Sequence, residues 1–336
     1  MPVLSLGDNM RRREFITLLS GVASWPLAAR AQQPGRVRRI GIVMPYATGD
    51  AENELVVAFK QELAKLGWVD GRNVQFDERW TTDNMDVVRA EAASLMASKP
   101  DVVIATGGRV VPILTQLSSS IPIVLPGGSD PVRMGYAKTL ARPGGNITGF
   151  ALLELSMLGK SIEILKQIAP AMARVALIYN PDNPNSVIYR QIAEEASGRI
   201  GIEPIASPIH GFSDIDRAVA SLAANPNSGI YFLPDVSTLA LRKEVVDLTA
   251  RHRLPAIYWD TSFVKLGGLA FYGADRIDLF RRSAVYVDRI LRGEKAADLP
   301  FQQPTKYQLI INLKTAKALG LTIPEAFLQT ADEVIE

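Results

Sequence analysis

The chain predicts an α/β protein of two similar three-layer α/β/α lobes, each built on a mostly parallel sheet, with a ligand cleft between them. Three observations carry this. From Arg38 onward, short apolar runs alternate with amphipathic segments, the pattern of βα repeats around a parallel sheet. The alternation then begins a second time, giving two βαβαβ series of similar length rather than one long one. Near the change of series lies Arg142-Pro143-Gly144-Gly145-Asn146, a turn sequence at the expected boundary.

In the first series, Arg38-Arg39-Ile40-Gly41-Ile42-Val43-Met44 reads as a buried strand that stops at Pro45. A helix over 52–66 follows, with Leu55, Phe59, Leu63 and Leu66 on one face and Gly67 as its stop. Val74, Phe76, Glu78 and Trp80 alternate with polar residues, as an edge strand would. A helix over about 85–98 leads to a central strand at 101–105, and another helix precedes a strand at 121–125. The second series reads as a helix over 155–168, a strand at 174–179, and a helix through Ala193. A strand near 204–207, a helix from Ser213 and a strand at 229–233 come next. Ser237 then caps a helix to about His252, followed by a strand at 256–259.

Before the first strand, Arg11-Arg12-Arg13-Glu14-Phe15-Ile16 opens an apolar stretch that closes on Ala29-Arg30-Ala31. These are the basic, apolar and small-residue parts of a secretory signal. The apolar part is shorter than the roughly 20 residues of a membrane span. The paired arginines followed by x-Phe-Ile resemble the twin-arginine export signal. Residues 1–31 are therefore expected to be removed, leaving a protein that starts near Gln32 outside the cytoplasm; Met10 is an alternative start.

Hydrophobic residues make up 47% of the 336-residue chain and charged residues 21%, a composition that supports a packed core and argues against disorder. The net charge of +2 includes four arginines and two acids in 1–31, so the remainder balances at zero. A neutral protein argues against nucleic acid or an anionic membrane as the main partner. Cysteine is absent, which excludes disulfides and an acyl-anchor cysteine and predicts a soluble protein without a lipid anchor. With only His210 and His252, a histidine metal site or a Ser-His-Asp triad is disfavoured. The sequence has no G-x-G-x-x-G, P-loop, G-x-S-x-G, H-E-x-x-H or C-x-x-C pattern, so no enzyme and no cofactor is expected.

Ligands of open parallel sheets bind beyond the carboxyl ends of the strands. In the first lobe those ends are Pro45-Tyr46, Thr106-Gly107-Gly108 and Gly127-Gly128-Ser129-Asp130; in the second they are Asn180-Pro181-Asp182-Asn183, Pro234-Asp235 and Trp259-Asp260. The glycine pairs leave N–H groups open where a helix begins, which suits an anion such as a carboxylate. The alternative is that they only make tight turns. Thr106 and Ser129 add hydroxyl donors. Asp235 is either the anion for a ligand ammonium or a helix N-cap. Tyr46, Tyr179, Tyr258, Trp259 and Tyr272 fall at or beside strand ends, as aromatic cleft walls or as core.

Ala141-Arg142-Pro143-Gly144-Gly145-Asn146-Ile147-Thr148-Gly149, preceded by Ser129-Asp130-Pro131-Val132, resembles the ABC-transporter substrate-binding family that includes tryptophan- and tyrosine-binding proteins. Gly159 to Lys166, Asn180-Pro181, Tyr286 to Glu294 and Ile311 to Leu321 carry the same resemblance, which spans essentially the whole mature chain. It implies a type I periplasmic-binding-protein-like fold, with lobes joined by crossover strands and an ABC permease as partner. It does not fix the ligand. The missing lipoprotein cysteine fits a soluble, monomeric receptor in the periplasm.

The resulting expectation is an N-terminal lobe of 36–149 plus about 273–298, and a C-terminal lobe of 150–272 plus about 299–336. The helix over 276–291 would return to the first lobe, and closure would hinge near Phe150 and after Tyr272. For an amino-acid-like ligand, Thr106, Gly107, Gly127, Gly128 and Ser129, with Asp130 beside them, would hold the carboxylate. Asp235 would hold the ammonium. Tyr46, Asn180, Tyr258 and Tyr272 would complete the site. The rival readings are a sensory accessory protein with the same site and a two-lobed transferase.

Overall fold

The computed structural model describes residues 36–44, 50–82, 84–128, 130–151 and 155–336. Contacts divide the chain into Met1–Val37 and Arg38–Glu336, and the description below concerns the second unit. The signal sequence, Tyr46 and Ser129 lie outside the described residues.

The first sheet is built from β1 (Arg38–Met44), α1 (Asp50–Lys65), β2 (Val74–Trp80), α2 (Met85–Ala97), β3 (Val102–Ala105), α3 (Val110–Leu117), β4 (Ile123–Gly128) and β5 (Ile147–Ala151). Its strand order is β2-β1-β3-β4-β5, parallel throughout. The second sheet follows α4 (Ser156–Ile168) with β6 (Arg174–Tyr179), α5 (Pro184–Arg199), β7 (Glu203–Pro208), α6 (Phe212–Ala223) and β8 (Ser228–Phe232). It continues through α7 (Val236–Ala240), α8 (Arg242–Arg251), β9 (Ala256–Tyr258), α9 (Thr261–Lys265) and β10 (Ala270–Ala274). After α10 (Arg276–Leu291) come β11 (Tyr307–Asn312), α11 (Leu313–Ala318), α12 (Glu325–Leu328) and β12 (Glu333–Ile335). The order here is β12-β11-β10-β9-β8-β6-β7, with only the β10–β11 pair antiparallel.

Period-two alternation in fully apolar strands produces the three layers. Ile40 and Ile42 of β1 join the core under α1, whereas Val43 joins the core under α2 and α3. In β6, Val175 and Leu177 go to one side and Ala176 and Ile178 to the other. Helix α10 packs in the first lobe: Leu279, Ala284 and Val287 share a core with Phe59 and Leu63, and Trp68 Nε1 donates to Asp288 Oδ1 at 2.8 Å.

Gly149 shows what the Asn146-Ile147-Thr148-Gly149 run is for. Its φ is +139°, and a Cβ there would stand 2.2 Å from the Leu125 carbonyl oxygen, so only glycine lets β5 lie against β4. Residues 299–302 then edge β5: Thr148 Oγ1 donates to the Leu299 carbonyl at 2.6 Å, and the Gln302 N–H donates to the Gly149 carbonyl at 3.0 Å. The chain thus stays with the first sheet past residue 298, where the sequence placed the crossing, because Leu299 and Phe301 are core side chains. The helix expected to run from Ser237 to about His252 is two helices that part at Leu241, and its cap is Asp235 rather than Ser237.

Five strands of each sheet share one topology, β2-β1-β3-β4-β5 in the first and β7-β6-β8-β9-β10 in the second. In both, the order reverses beside the first strand of the series, and the crevice beyond the carboxyl ends opens there.

Candidate functional site

A cavity lies between the lobes at those carboxyl ends. The first lobe contributes Thr106, Gly107 and Gly108 after β3, and Gly127 and Gly128 at the end of β4. Helix α3 starts here without a side-chain cap. The Val111 N–H bonds back to the Gly107 carbonyl at 3.4 Å and Pro112 has none, so the N–H groups left for an occupant are those up to Val110. A partial positive charge collects at that end. Met134 and Tyr136, from the long β4–β5 connection, complete this wall. Burial pushes the Tyr136 hydroxyl up to about 12, so the phenol is a neutral donor at physiological pH.

The opposite wall is a row of capped helix starts. Asn183 Oδ1 accepts from the Asn185 N–H at 3.1 Å to cap α5, and Asp235 Oδ1 accepts from the Ser237 N–H at 2.9 Å to cap α7. Asp260 Oδ1 caps α9 in the same way through Ser262, also at 2.9 Å. Asp235 is buried and faces the cavity. The two alternatives for Asp235 are therefore compatible, since one carboxylate can cap a helix and still present an acceptor. Trp259 and Tyr189 flank it, with Trp259 Nε1 held by Thr238 Oγ1 at 3.2 Å.

Arg276 opens α10 at the point where the chain leaves β10, and its guanidinium pairs with Asp260 at the cavity edge. Burial alone would raise the Asp260 carboxyl, but the Arg276 charge and the Ser262 hydrogen bonds outweigh it and hold the group below its ordinary value.

Of the residues expected to form the site, Thr106, Gly107, Gly127, Gly128 and Asp235 line this cavity. Others do not. Tyr258 is fully buried, stacked with Phe232 and Phe263, and its hydroxyl is 2.9 Å from Thr249 Oγ1; the next residue, Trp259, takes the place expected for it. Tyr272 stacks on Tyr307 and lines a small neighbouring recess that shares Pro234, Trp259 and Arg276 with the cavity. Asn180 is spent on a turn, its Oδ1 accepting from the Asp182 N–H at 2.9 Å. Asp130 caps the turn at Val132 and Arg133 and lines a side recess shared with Met134 and Asn185. Sequence reasoning missed Asn185, Tyr189, Met134, Tyr136, Arg276 and Phe280, all of which reach the cavity. Arg276 lies two residues past the end of β10, a strand that the sequence reading did not identify.

Among the described residues, no group of three His, Cys, Asp or Glu could hold a metal ion, and no helix is long and apolar enough to cross a membrane. A tyrosine-binding protein from Clostridioides difficile is 25% identical over 264 residues, covering 78% of this chain and 75% of the relative. The structure of an ABC domain in complex with L-Trp from Streptococcus pneumonia superposes with a TM-score of 0.82 at 23% identity, covering 89% of this chain and 99% of that one. A ligand-free, open substrate-binding protein with adhesive properties from Clostridium difficile, with the same coverage and 24% identity, scores 0.68. Within the cleft, the Asn185 side chain of one lobe lies close to Gly108 of the other. Residues 39–335 match throughout the profile of ABC transporter substrate binding proteins, and the chain belongs to that family.

Proposed function

We infer that this protein captures an amino acid with an aromatic side chain between its lobes, outside the cytoplasm, and delivers it to an ABC importer. One observation carries the reading: the cavity opposes an amide-rich wall at Gly107–Gly108 to a buried carboxylate at Asp235, with aromatic rings alongside. That arrangement suits a zwitterion. The carboxylate would take the first lobe's N–H groups, Thr106 and Gly127–Gly128; the ammonium would take Asp235; and the side chain would lie among Tyr136, Tyr189 and Trp259. The 25% identical relative bears the name tyrosine-binding protein, and a structural neighbour holds L-Trp.

Export rests on the Arg11 to Ala31 pattern, and the permease on family membership. A thermal-shift and calorimetric screen of residues 32–336 against aromatic amino acids, other amino acids, sugars and nucleosides tests the ligand class. A ligand at 100 times its dissociation constant adds about 2.7 kcal/mol of stability. Selective stabilisation by a sugar, with none by any amino acid, would overturn it. A reporter fused to residues 1–40 tests export, and an uncleaved cytoplasmic product refutes that part.

A further inference from the structure

Asn185 is the second residue of α5 and only 4% exposed. Its backbone N–H is held by Asn183, yet among the described residues its carboxamide has no hydrogen-bond partner. Neither of its polar atoms is among the fully buried unpartnered ones, so the carboxamide is open to the cavity that it lines and free to meet an occupant. The neighbouring Asn183 is engaged, with Oδ1 on the Asn185 N–H and Nδ2 on Asp235.

The Asn185 side chain reaches across the cleft. Its Nδ2 stands 3.0 Å from the point a Cβ on Gly108 would occupy. Gly108 has no positive φ, and what a Cβ there would meet is the side-chain ends of Asn185 and Asn183 from the facing lobe. Arg109 follows Gly108 and caps α3, the eight-residue helix without a side-chain cap bond. The Gly108 backbone of one lobe and the Asn185 carboxamide of the other therefore meet at one spot of the cavity wall. The occupant of that spot is an acceptor, and the helix end favours an anionic one.

We propose that Asn185 donates to the same ligand carboxylate that Gly107 and Gly108 hold, so that one ligand group is gripped from both lobes and its presence is converted into closure. This rests on the amino-acid reading above. It makes Asn185 the second lobe's selector for a carboxylate, a role distinct from that of Asp235.

The test uses residues 32–336 with L-tryptophan, L-tyrosine and L-phenylalanine, and with tryptamine, tyramine and phenethylamine, which lack the carboxylate. Calorimetry gives affinities and small-angle scattering gives closure. Asn185→Ala should weaken the amino acid by about 10- to 100-fold, leave the matching amine within about threefold, and reduce ligand-induced compaction. Asn185→Asp, of the same shape but anionic, should weaken the amino acid further and leave the amine unharmed. Equal losses for acid and amine would assign Asn185 to packing and overturn the proposal, as would an unchanged affinity in Asn185→Ala; either leaves amino-acid capture standing. A wild-type protein that binds none of the amino acids removes the functional reading and this proposal with it.

Discussion

Asn183 and Asp235, 52 residues apart in the chain, are joined side chain to side chain: Asn183 Nδ2 donates to Asp235 Oδ2 at 2.7 Å, and both residues are buried. Each also caps its own helix. The joint fixes two helix starts as one wall and fixes the direction in which the carboxylate faces. Ser237 gives Asp235 an N–H and an O–H, and Asn183 gives an N–H, so three of about four acceptor positions are filled and one remains.

Asp235→Asn keeps the cap on Ser237 but turns an amide donor toward the Asn183 donor, so the fold should lose about 1–3 kcal/mol and still form. A ligand ammonium would lose its counter-charge inside a poorly solvated cleft, at a cost of about 3–5 kcal/mol. Titration calorimetry with L-tryptophan should therefore read a drop of two decades or more. A drop below threefold withdraws the ammonium role.

Gly149→Ala should destabilise the protein severely, by about 3 kcal/mol or more, since the new methyl meets β4 backbone and the residue is held at φ +139°. Denaturant unfolding measures this. A loss under about 1 kcal/mol would mean that β5 can lift from β4 at little cost.

The Asp260–Arg276 pair predicts an acid limit. With its folded value below the ordinary 3.8, Asp260 contributes stability that is complete above about pH 4 and lost as pH falls through the lower folded value. Asp260→Asn should remove that part of the acid dependence. It should also cost about 3–5 kcal/mol at neutral pH, because Arg276 is left without its charge partner. Unfolding midpoints at pH 3 to 7 for both proteins decide the matter, and parallel curves would count against the pair.

Tyr258 and Trp259 are neighbours with opposite roles. Tyr258→Phe should cost about 1 kcal/mol of stability through the lost bond to Thr249 and leave ligand affinity within twofold. Trp259→Ala should weaken an aromatic ligand at least tenfold, since the ring lines the cavity. The reverse pattern would place Tyr258 in the site.

What could be read from the sequence follows from where each signal is local. The strands at 38–44, 102–105 and 228–232 are short apolar runs with breakers at their ends, so their carboxyl ends, and with them Thr106, Gly107 and Asp235, were legible. Tyr258 was not, because all of β9 is buried on both faces and alternation cannot say which side chain reaches the cleft. Arg276 was missed with the strand that delivers it: Ala270-Phe271-Tyr272-Gly273-Ala274 lacks the run of branched residues that marked the others. Met134 and Tyr136 sit in a connection with no periodicity, and Asn185 and Tyr189 read as ordinary residues of the first two turns of a helix.

The chain passes between the sheets after Ala151, at Asp275 and between Gln302 and Tyr307, and the last two passes are bonded to each other, Asp275 N–H to the Lys306 carbonyl at 3.0 Å. A lone strap would let two halves swivel, shear and twist; neighbouring straps laced together suppress torsion and leave bending about one axis. Closure on a ligand, as proposed above, would then follow one path between two end positions. A protein that touches only the outer surfaces would read open against closed, and the lining could change its ligand without any matching change on those surfaces.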